Sequence, residues 1–182
     1  MKAIVTAIDE PWREEIAGIW GELKAVFGLG SLTGALRPYL TFHVAEEYDA
    51  GIEEPLNRIA NLAPPFALET HGVGITEGQQ SIIYLHVTRT EALDEVHHVI
   101  WHATHALARN IKPAYAAETW LPHIAIATGP IDHTQVEGVL AFLNRREYNW
   151  SIPATNVCLI PDTRLVGGEW ARWDLLRVVG SS

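Results

Sequence analysis

Two short segments of this sequence carry side chains that can transfer protons or donate hydrogen bonds. The first, PYLTF at residues 38–42, alternates Tyr39 and Thr41 with apolar residues. The second, PHIAI at residues 122–126, places His123 and Ala125 in the same alternation. Successive side chains of a strand point to opposite faces. Each segment therefore predicts a strand with one face in the core and one face available for chemistry.

The similarity of the two segments predicts an internal duplication. Both read proline, ring side chain, aliphatic, small residue, large apolar residue, and Tyr39 and His123 lie 84 positions apart in a chain of 182 residues. Each half also combines strands with helices. We expect the halves to pack about a pseudo-twofold axis, with the two strands side by side and their polar faces meeting in a groove.

These segments resemble the signature strands of the two-histidine phosphoesterase superfamily, in particular its 2'-5' RNA ligase-like branch. The motif of that family is His, any residue, Thr or Ser, apolar residue, once in each half. The lead-in W-x-P-H is also matched, at residues 120–123, and the resemblance extends over the whole chain. It implies an α+β fold of two intertwined lobes in one domain, residues 1–182, with two antiparallel or mixed sheets around a central cleft and helices on the outside.

The resemblance also implies an activity and a site. Characterised members act on 2',3'-cyclic or 2'-5' phosphodiester linkages without a metal or other cofactor, so the expected partner is a small nucleotide or an RNA end. Two histidines serve as general acid and general base, and the Thr or Ser hydroxyls hold the phosphate. Carried over to this sequence, His123 is the acid or base and Thr41 is the phosphate donor.

The motifs depart from the family pattern at one position each. Tyr39 stands where the first histidine is expected, and Ala125 stands where the second hydroxyl is expected. Each half has thus lost one functional group. The sequence predicts either a slow phosphodiesterase or a non-catalytic nucleotide-binding module of the same fold.

Tyr39 can replace a histidine only in part. A phenol with a pKa near 10 is ionised to about one part in a thousand at pH 7, so it is a poor base. A neutral phenol can still donate a hydrogen bond to a phosphoryl oxygen or a leaving alkoxide, with His123 activating water. Simple packing of Tyr39 on a strand face, and a core position for His123, are the alternatives.

Other polar side chains are candidates for the same groove. His43 shares the alternation of Tyr39, but it lies about 13 Å further along the strand, so it is expected to reach only a distal part of a ligand. Tyr84 and His86 share one face of the predicted strand SIIYLHV, so both are candidates to line the groove. The alternative is that this face is simply exposed to solvent. Arg172 is a candidate for phosphate binding because a guanidinium matches phosphate geometry.

The remaining pattern predicts alternating strands and helices, and hence an α+β or mixed α/β arrangement. A hairpin with a turn around Gly78 and a capping box from Asp132 to Gln135 are the clearest local signals. Strands are expected at 2–8, 38–45, 66–76, 81–88, 120–127, 155–160 and 169–179, and helices at 11–27, 53–62, 90–109 and 132–145.

The helix predicted at 90–109 is rich in histidine. His98, His102 and His105 fall within about 60° of one another on a helical projection, opposite the apolar stripe, which predicts a solvated face. A metal-binding histidine protein is the alternative, since an i, i+4 pair can hold a metal ion. We expect no structural metal here, because no thiolate or second element is at hand.

Composition limits the partners. The net charge of −9 and the scattered basic residues argue against binding long duplex nucleic acid. Cys158 is the single cysteine, so no disulfide can form within the chain, and its apolar context predicts a buried, inert thiol. The apolar stretch near the N-terminus is too short for a membrane span. We expect a cytoplasmic monomer.

Overall fold

The structure is a computed structural model that describes residues 1–29, 37–76, 81–129, 131, 133–161 and 170–175. The strands are β1 (Lys2–Ala7), β2 (Tyr39–Ala45), β3 (Glu47–Tyr48), β4 (Phe66–Ile75), β5 (Ser81–Val87), β6 (Ala108–Arg109), β7 (His123–Gly129), β8 (Ser151–Ala154), β9 (Asn156–Ile160) and β10 (Ala171–Asp174). The helices are α1 (Trp12–Phe27), α2 (Glu53–Leu62), α3 (Glu91–Thr104) and α4 (His133–Leu143).

Eight of these strands form one antiparallel sheet in the order β10-β9-β1-β2-β7-β5-β4-β8. The two motif strands, β2 and β7, lie at its centre with three strands outside each of them. They are joined through the pairing of Leu40 with Ile124. The prediction of an α+β fold with the motif strands side by side is confirmed. The sheet is continuous across the two halves, whereas two sheets were expected.

The core lies on the face of the sheet to which Leu40, Phe42 and Ile124 point. These side chains are fully buried in the main apolar cluster, which the buried residues of α1 also join. The opposite face of β1 and β9 carries a smaller cluster around Val5 and Cys158. The predicted burial of Cys158 is confirmed, and burial raises the pKa of its thiol to about 11.

A bulge in β2 changes the face on which His43 lies. Val5 pairs with Thr41 but Ile4 pairs with His43, so Phe42 is an extra residue in the ladder. Beyond the bulge the alternation is reversed, and His43 is fully buried with its ring 4.9 Å from that of Trp101. The prediction that His43 shares the face of Tyr39 is therefore wrong.

Several short elements differ from the sequence prediction. The predicted helix at 90–109 ends at Thr104, continues as a 3-10 turn, His105–Leu107, and then enters β6, which pairs with β3. The strands β3, β6 and β8 were not predicted. The turn at Gly78, the cap at Asp132 and the end of the last predicted strand lie outside the described residues. Within the described ranges, no helix is both long and apolar enough to cross a bilayer.

Candidate active site

The two motifs face each other across the β2–β7 pairing. Because Leu40 is paired with Ile124 in an antiparallel ladder, Thr41 lies opposite His123 and Tyr39 lies opposite Ala125. All four of these side chains are partly exposed, and they share the face of the sheet opposite the main core. The structure therefore brings the two predicted catalytic residues, Tyr39 and His123, onto one surface of neighbouring strands.

This register places the two residues that depart from the family motif, Tyr39 and Ala125, opposite each other on neighbouring strands. In sequence each half has lost one group, but in space the two retained groups, Thr41 and His123, are directly opposite each other. The two replaced positions, Tyr39 and Ala125, form the other cross-strand pair. One His–hydroxyl pair is thus complete, and the second has been exchanged as a unit for one large and one small side chain.

The ring of His123 is oriented by a backbone contact. Its Nδ1 lies 2.7 Å from the carbonyl oxygen of Leu121. A carbonyl oxygen only accepts hydrogen bonds, so Nδ1 carries the proton. In the neutral ring this leaves Nε2 as the basic nitrogen, and in the protonated ring Nε2–H is the group that can be donated to a ligand.

Trp120 fixes the strand opposite His123. Its Nε1–H donates to the carbonyl oxygen of Thr41 at 2.9 Å, and its indole stacks on His97 with 3.9 Å between ring centroids and 12° between planes. His97 in turn donates from Nε2 to the carbonyl oxygen of Tyr115. Sequence reasoning missed this link, although the W-x-P-H lead-in was a signal for it.

Tyr39 is held by aromatic packing. Its ring meets that of Trp170 edge to face with centroids 5.4 Å apart, and it packs against the small cluster around Val5. Burial raises the pKa of Tyr39. The phenol therefore keeps its proton at neutral pH, which excludes it as a general base and leaves hydrogen-bond donation as its available chemistry.

Strand β5 adds Tyr84 and His86 to the same face. His86 is paired with His123, and Tyr84 is paired with Ala125. The Tyr84 ring lies 5.2 Å from that of His123 and covers Gly74, where a Cβ atom would come within 2.4 Å of the ring. The two side chains thus lie beside the motif residues, and a role in phosphate binding remains a prediction for both.

Arg172 lies on β10 but its donors are already engaged. Its two terminal nitrogens each donate to Asp9 at 2.8 Å, and Nε donates to Asp174 at 2.9 Å. The contact with Arg172 lowers the pKa of Asp9, whose carboxylate also accepts a hydrogen bond from Thr155. This network ties β10 to the segment after β1, so the predicted phosphate contact of Arg172 is not supported.

His43 is likewise removed from the groove. Its Nδ1 shares a hydrogen bond of 2.6 Å with the hydroxyl of Tyr48. Burial, followed by the proximity of His105 and His97, lowers the pKa of His43 to about 4. A neutral, enclosed ring on the core face is turned away from the face that carries Tyr39 and His123, so the structure does not support the assignment of His43 to phosphate binding.

Two histidines of α3 and one in the 3-10 turn that follows it lie on the predicted exposed face. His98, His102 and His105 are exposed, and the rings of the first two lie 4.2 Å apart. The predicted solvated face is confirmed. Among the residues that the structure describes, no group of three or more His, Cys, Asp or Glu side chains is arranged to hold a metal ion.

The fold and the paired motifs agree with a known family. Residues 9–164 match the 2'-5' RNA ligase superfamily. Because this match covers most of the chain, the protein belongs to that superfamily. No curated protein matches the chain.

Solved structures with a similar fold include phosphoesterases. The TT0787 protein of Thermus thermophilus superposes with a TM-score of 0.66 at 14% identity, over 96% of this chain and 97% of that one. LigT of E. coli, complexed with 3'-AMP, superposes with a TM-score of 0.59 at 19% identity over 96% and 97%. A structure described as a phosphoesterase gives 0.56 at 18% identity over 96% and 99%. At these identities the likeness establishes the fold.

Proposed function

We propose that the protein is a slow, metal-independent phosphoesterase that hydrolyses a 2',3'-cyclic or 2'-5' phosphodiester in a small nucleotide or at an RNA end. The observation that carries this proposal is the intact cross-strand pair of Thr41 and His123, with the Nε2 of His123 left available by the contact of Nδ1 with Leu121. A phosphate above this pair would meet one hydroxyl donor and one acid–base group.

The chemistry follows from the types of the remaining groups. The hydroxyl of Thr41 donates a hydrogen bond to a phosphoryl oxygen, and the imidazole of His123 transfers a proton. The phenol of Tyr39, protonated at neutral pH, donates a second hydrogen bond. Loss of one acid–base group of a pair lowers a rate by about 10²- to 10⁴-fold, which is why slow turnover is expected.

The substrate class is supported by charge and by the similar structures. Structures of E. coli LigT hold 3'-AMP, NADP+ or ATP, and all three are small nucleotides with phosphate groups. The net charge of −9 of this chain disfavours long nucleic acids, whose phosphates would be repelled. A single nucleotide needs only a few local donors.

Hydrolysis of 2',3'-cyclic nucleotides by purified protein tests the proposal. We expect measurable turnover in wild type, none above background in His123→Ala, and reduced turnover in Thr41→Val, which keeps the shape of the side chain but removes the hydroxyl. His98→Ala is the matched control, because it removes an exposed imidazole from α3. Equal turnover in wild type and His123→Ala would reject catalysis by this site.

The second candidate function is nucleotide binding without turnover. It is favoured by the paired replacement of Tyr39 and Ala125, which leaves the second half of the site without an acid–base group or a hydroxyl. Such a protein would be stabilised thermally by adenosine 3'-phosphate, because a ligand that binds only the folded state raises its stability. Stabilisation without hydrolysis would favour this function over catalysis.

We also propose a single domain over residues 1–182, acting as a cytoplasmic monomer. The support for one domain is topological, because β9 and β10 from the end of the chain pair beside β1 at its start. Burial of the single cysteine, Cys158, is compatible with a reducing compartment.

A further inference from the structure

We propose that His86 is the second proton-transfer group of this site, in place of the imidazole that is missing at residue 39. This inference rests on the proposed phosphoesterase function and extends it. The second proton-transfer group would then come from β5, because the motif strands β2 and β7 supply only one imidazole to this face.

The position of His86 makes it a neighbour of His123. The two residues are paired across β5 and β7, so their Cβ atoms are about 4.5–5.5 Å apart. The His86 ring lies 4.4 Å from that of His71 on β4, and the His123 ring lies 5.2 Å from that of Tyr84. Both side chains are partly exposed on one face. The Nδ1 of His86 is buried without a hydrogen-bond partner, so Nε2 is the nitrogen of His86 left to face a ligand or a water molecule.

The other polar neighbours of His123 are poorly suited to this task. Thr41 is a hydroxyl that does not titrate in the neutral range, and Tyr39 and Tyr84 are phenols, which are poor bases near pH 7. A group that both accepts and releases protons near pH 7 is most efficient when its pKa is close to that pH. Among these neighbours, His86 alone is an imidazole.

The environments of the two rings separate their roles. Burial first, and then the proximity of His71 and His123, lowers the pKa of His86, which favours its neutral, basic form. His123 donates from Nδ1 to the carbonyl oxygen of Leu121, a contact that is also satisfied in the protonated ring. We therefore assign the base role to His86. The acid role falls to His123, because its Nδ1 is engaged with Leu121 and its Nε2–H is left to be donated to a leaving oxygen.

The reaction step balances with these two groups. The neutral ring of His86 accepts a proton from water while the water oxygen forms a bond to phosphorus. The bond between phosphorus and one ribose oxygen breaks, and that oxygen takes the Nε2 proton of His123. The product is a phosphate monoester with a free ribose hydroxyl. Proton exchange with solvent then returns His86 to its neutral form and His123 to its protonated form.

The test compares His86→Gln with His98→Gln, which makes the same substitution on the exposed face of α3. We measure kcat/KM for a 2',3'-cyclic nucleotide from pH 5 to pH 9, after circular dichroism and thermal melting have verified that both variants are folded. His86→Gln should lower kcat/KM by about 10²- to 10⁴-fold and remove the decline on the acidic side of the profile. His98→Gln should leave both unchanged.

A second-site variant makes the test independent of local damage at His86. Adding Tyr39→His to His86→Gln supplies an imidazole at the motif position, and should restore part of the lost turnover. The acidic side of the pH profile should return with it, because a neutral imidazole is again required.

The outcomes separate this inference from the function on which it rests. If His123→Ala is inactive while His86→Gln matches His98→Gln, the role of His86 is refuted and the phosphoesterase function stands. A lower rate in His86→Gln with an unchanged pH profile also refutes it, since that is the signature of altered packing. Absence of turnover in wild type overturns both proposals.

Discussion

Restoring the replaced half of the site is the most direct perturbation of this protein. The variant Tyr39→His with Ala125→Thr returns an imidazole and a hydroxyl to two positions that lie opposite each other on β2 and β7. Because the retained pair, Thr41 and His123, occupies the neighbouring register, the variant would hold two His–hydroxyl pairs, one in each of two adjacent cross-strand positions. We expect its hydrolysis of a 2',3'-cyclic nucleotide to exceed that of wild type.

The structure sets the size of the expected changes. An added acid–base group contributes about 10²- to 10⁴-fold in rate, which is about 3 to 5 kcal/mol of activation free energy. Tyr39→His sacrifices the edge-to-face contact with Trp170, which is worth about 0.5–1.5 kcal/mol. Ala125 is partly exposed on a strand, where threonine is well tolerated. A domain stable by about 5–15 kcal/mol should remain folded.

The assay is steady-state hydrolysis by wild type, both single variants and the double variant, with melting temperatures recorded for each. Tyr39→Phe is the matched control, since it keeps the ring against Trp170 but removes the hydroxyl, and it should give no gain. A folded double variant with wild-type turnover would refute the reasoning. It would mean that the two replaced positions do not face the bound phosphate.

Two further predictions concern packing on either face of the sheet. The unfolded chain protonates His43 near pH 6.5 and the folded protein only near pH 4. Its contribution to stability is therefore present above pH 6.5 and is lost as the pH falls. Because burial also lowers the pKa of His86 and of His97, some loss of stability is expected in any variant that keeps them. Urea unfolding should show that the loss between pH 7 and pH 5 is about 2 kcal/mol smaller in His43→Phe than in wild type, and an equal loss in the two proteins would contradict the burial of His43. Gly74→Ala should cost about 1–3 kcal/mol because its Cβ would overlap the Tyr84 ring. The same substitution should cost little in a Tyr84→Ala background, and an unchanged cost there would show that the ring is not the obstacle.

Local pattern was enough to locate the strands that carry the site. Alternation around Tyr39 and His123 predicted β2 and β7, and the repeated proline-ring-aliphatic order predicted that they are neighbours. Alternation also placed Tyr84 and His86 on one face of β5. These predictions succeeded because successive side chains of a strand point to opposite faces, so a half-buried strand shows apolar and polar residues in alternation.

The two-residue alternation gave a wrong prediction where a bulge interrupts the regular backbone of β2. The extra residue at Phe42 reverses the faces of β2, so His43 lies in the core although its sequence position suggests the groove. A bulge leaves no mark in the alternation of apolar and polar residues, because His43 is polar and buried. Only its hydrogen bond with Tyr48 and its packing against Trp101 explain its presence there.

Short-range periodicity was sufficient to predict an α+β protein with two matched strands. The resemblance to the family motif then showed that one functional residue is replaced in each strand. Which residues meet depends on the tertiary fold. The pairing of strands that are far apart in sequence brings Thr41 opposite His123 and places His86 beside His123. The fold also brings Asp9 close enough to accept hydrogen bonds from the guanidinium of Arg172. Cross-strand partners depend on how the whole chain folds back on itself, which no local pattern contains.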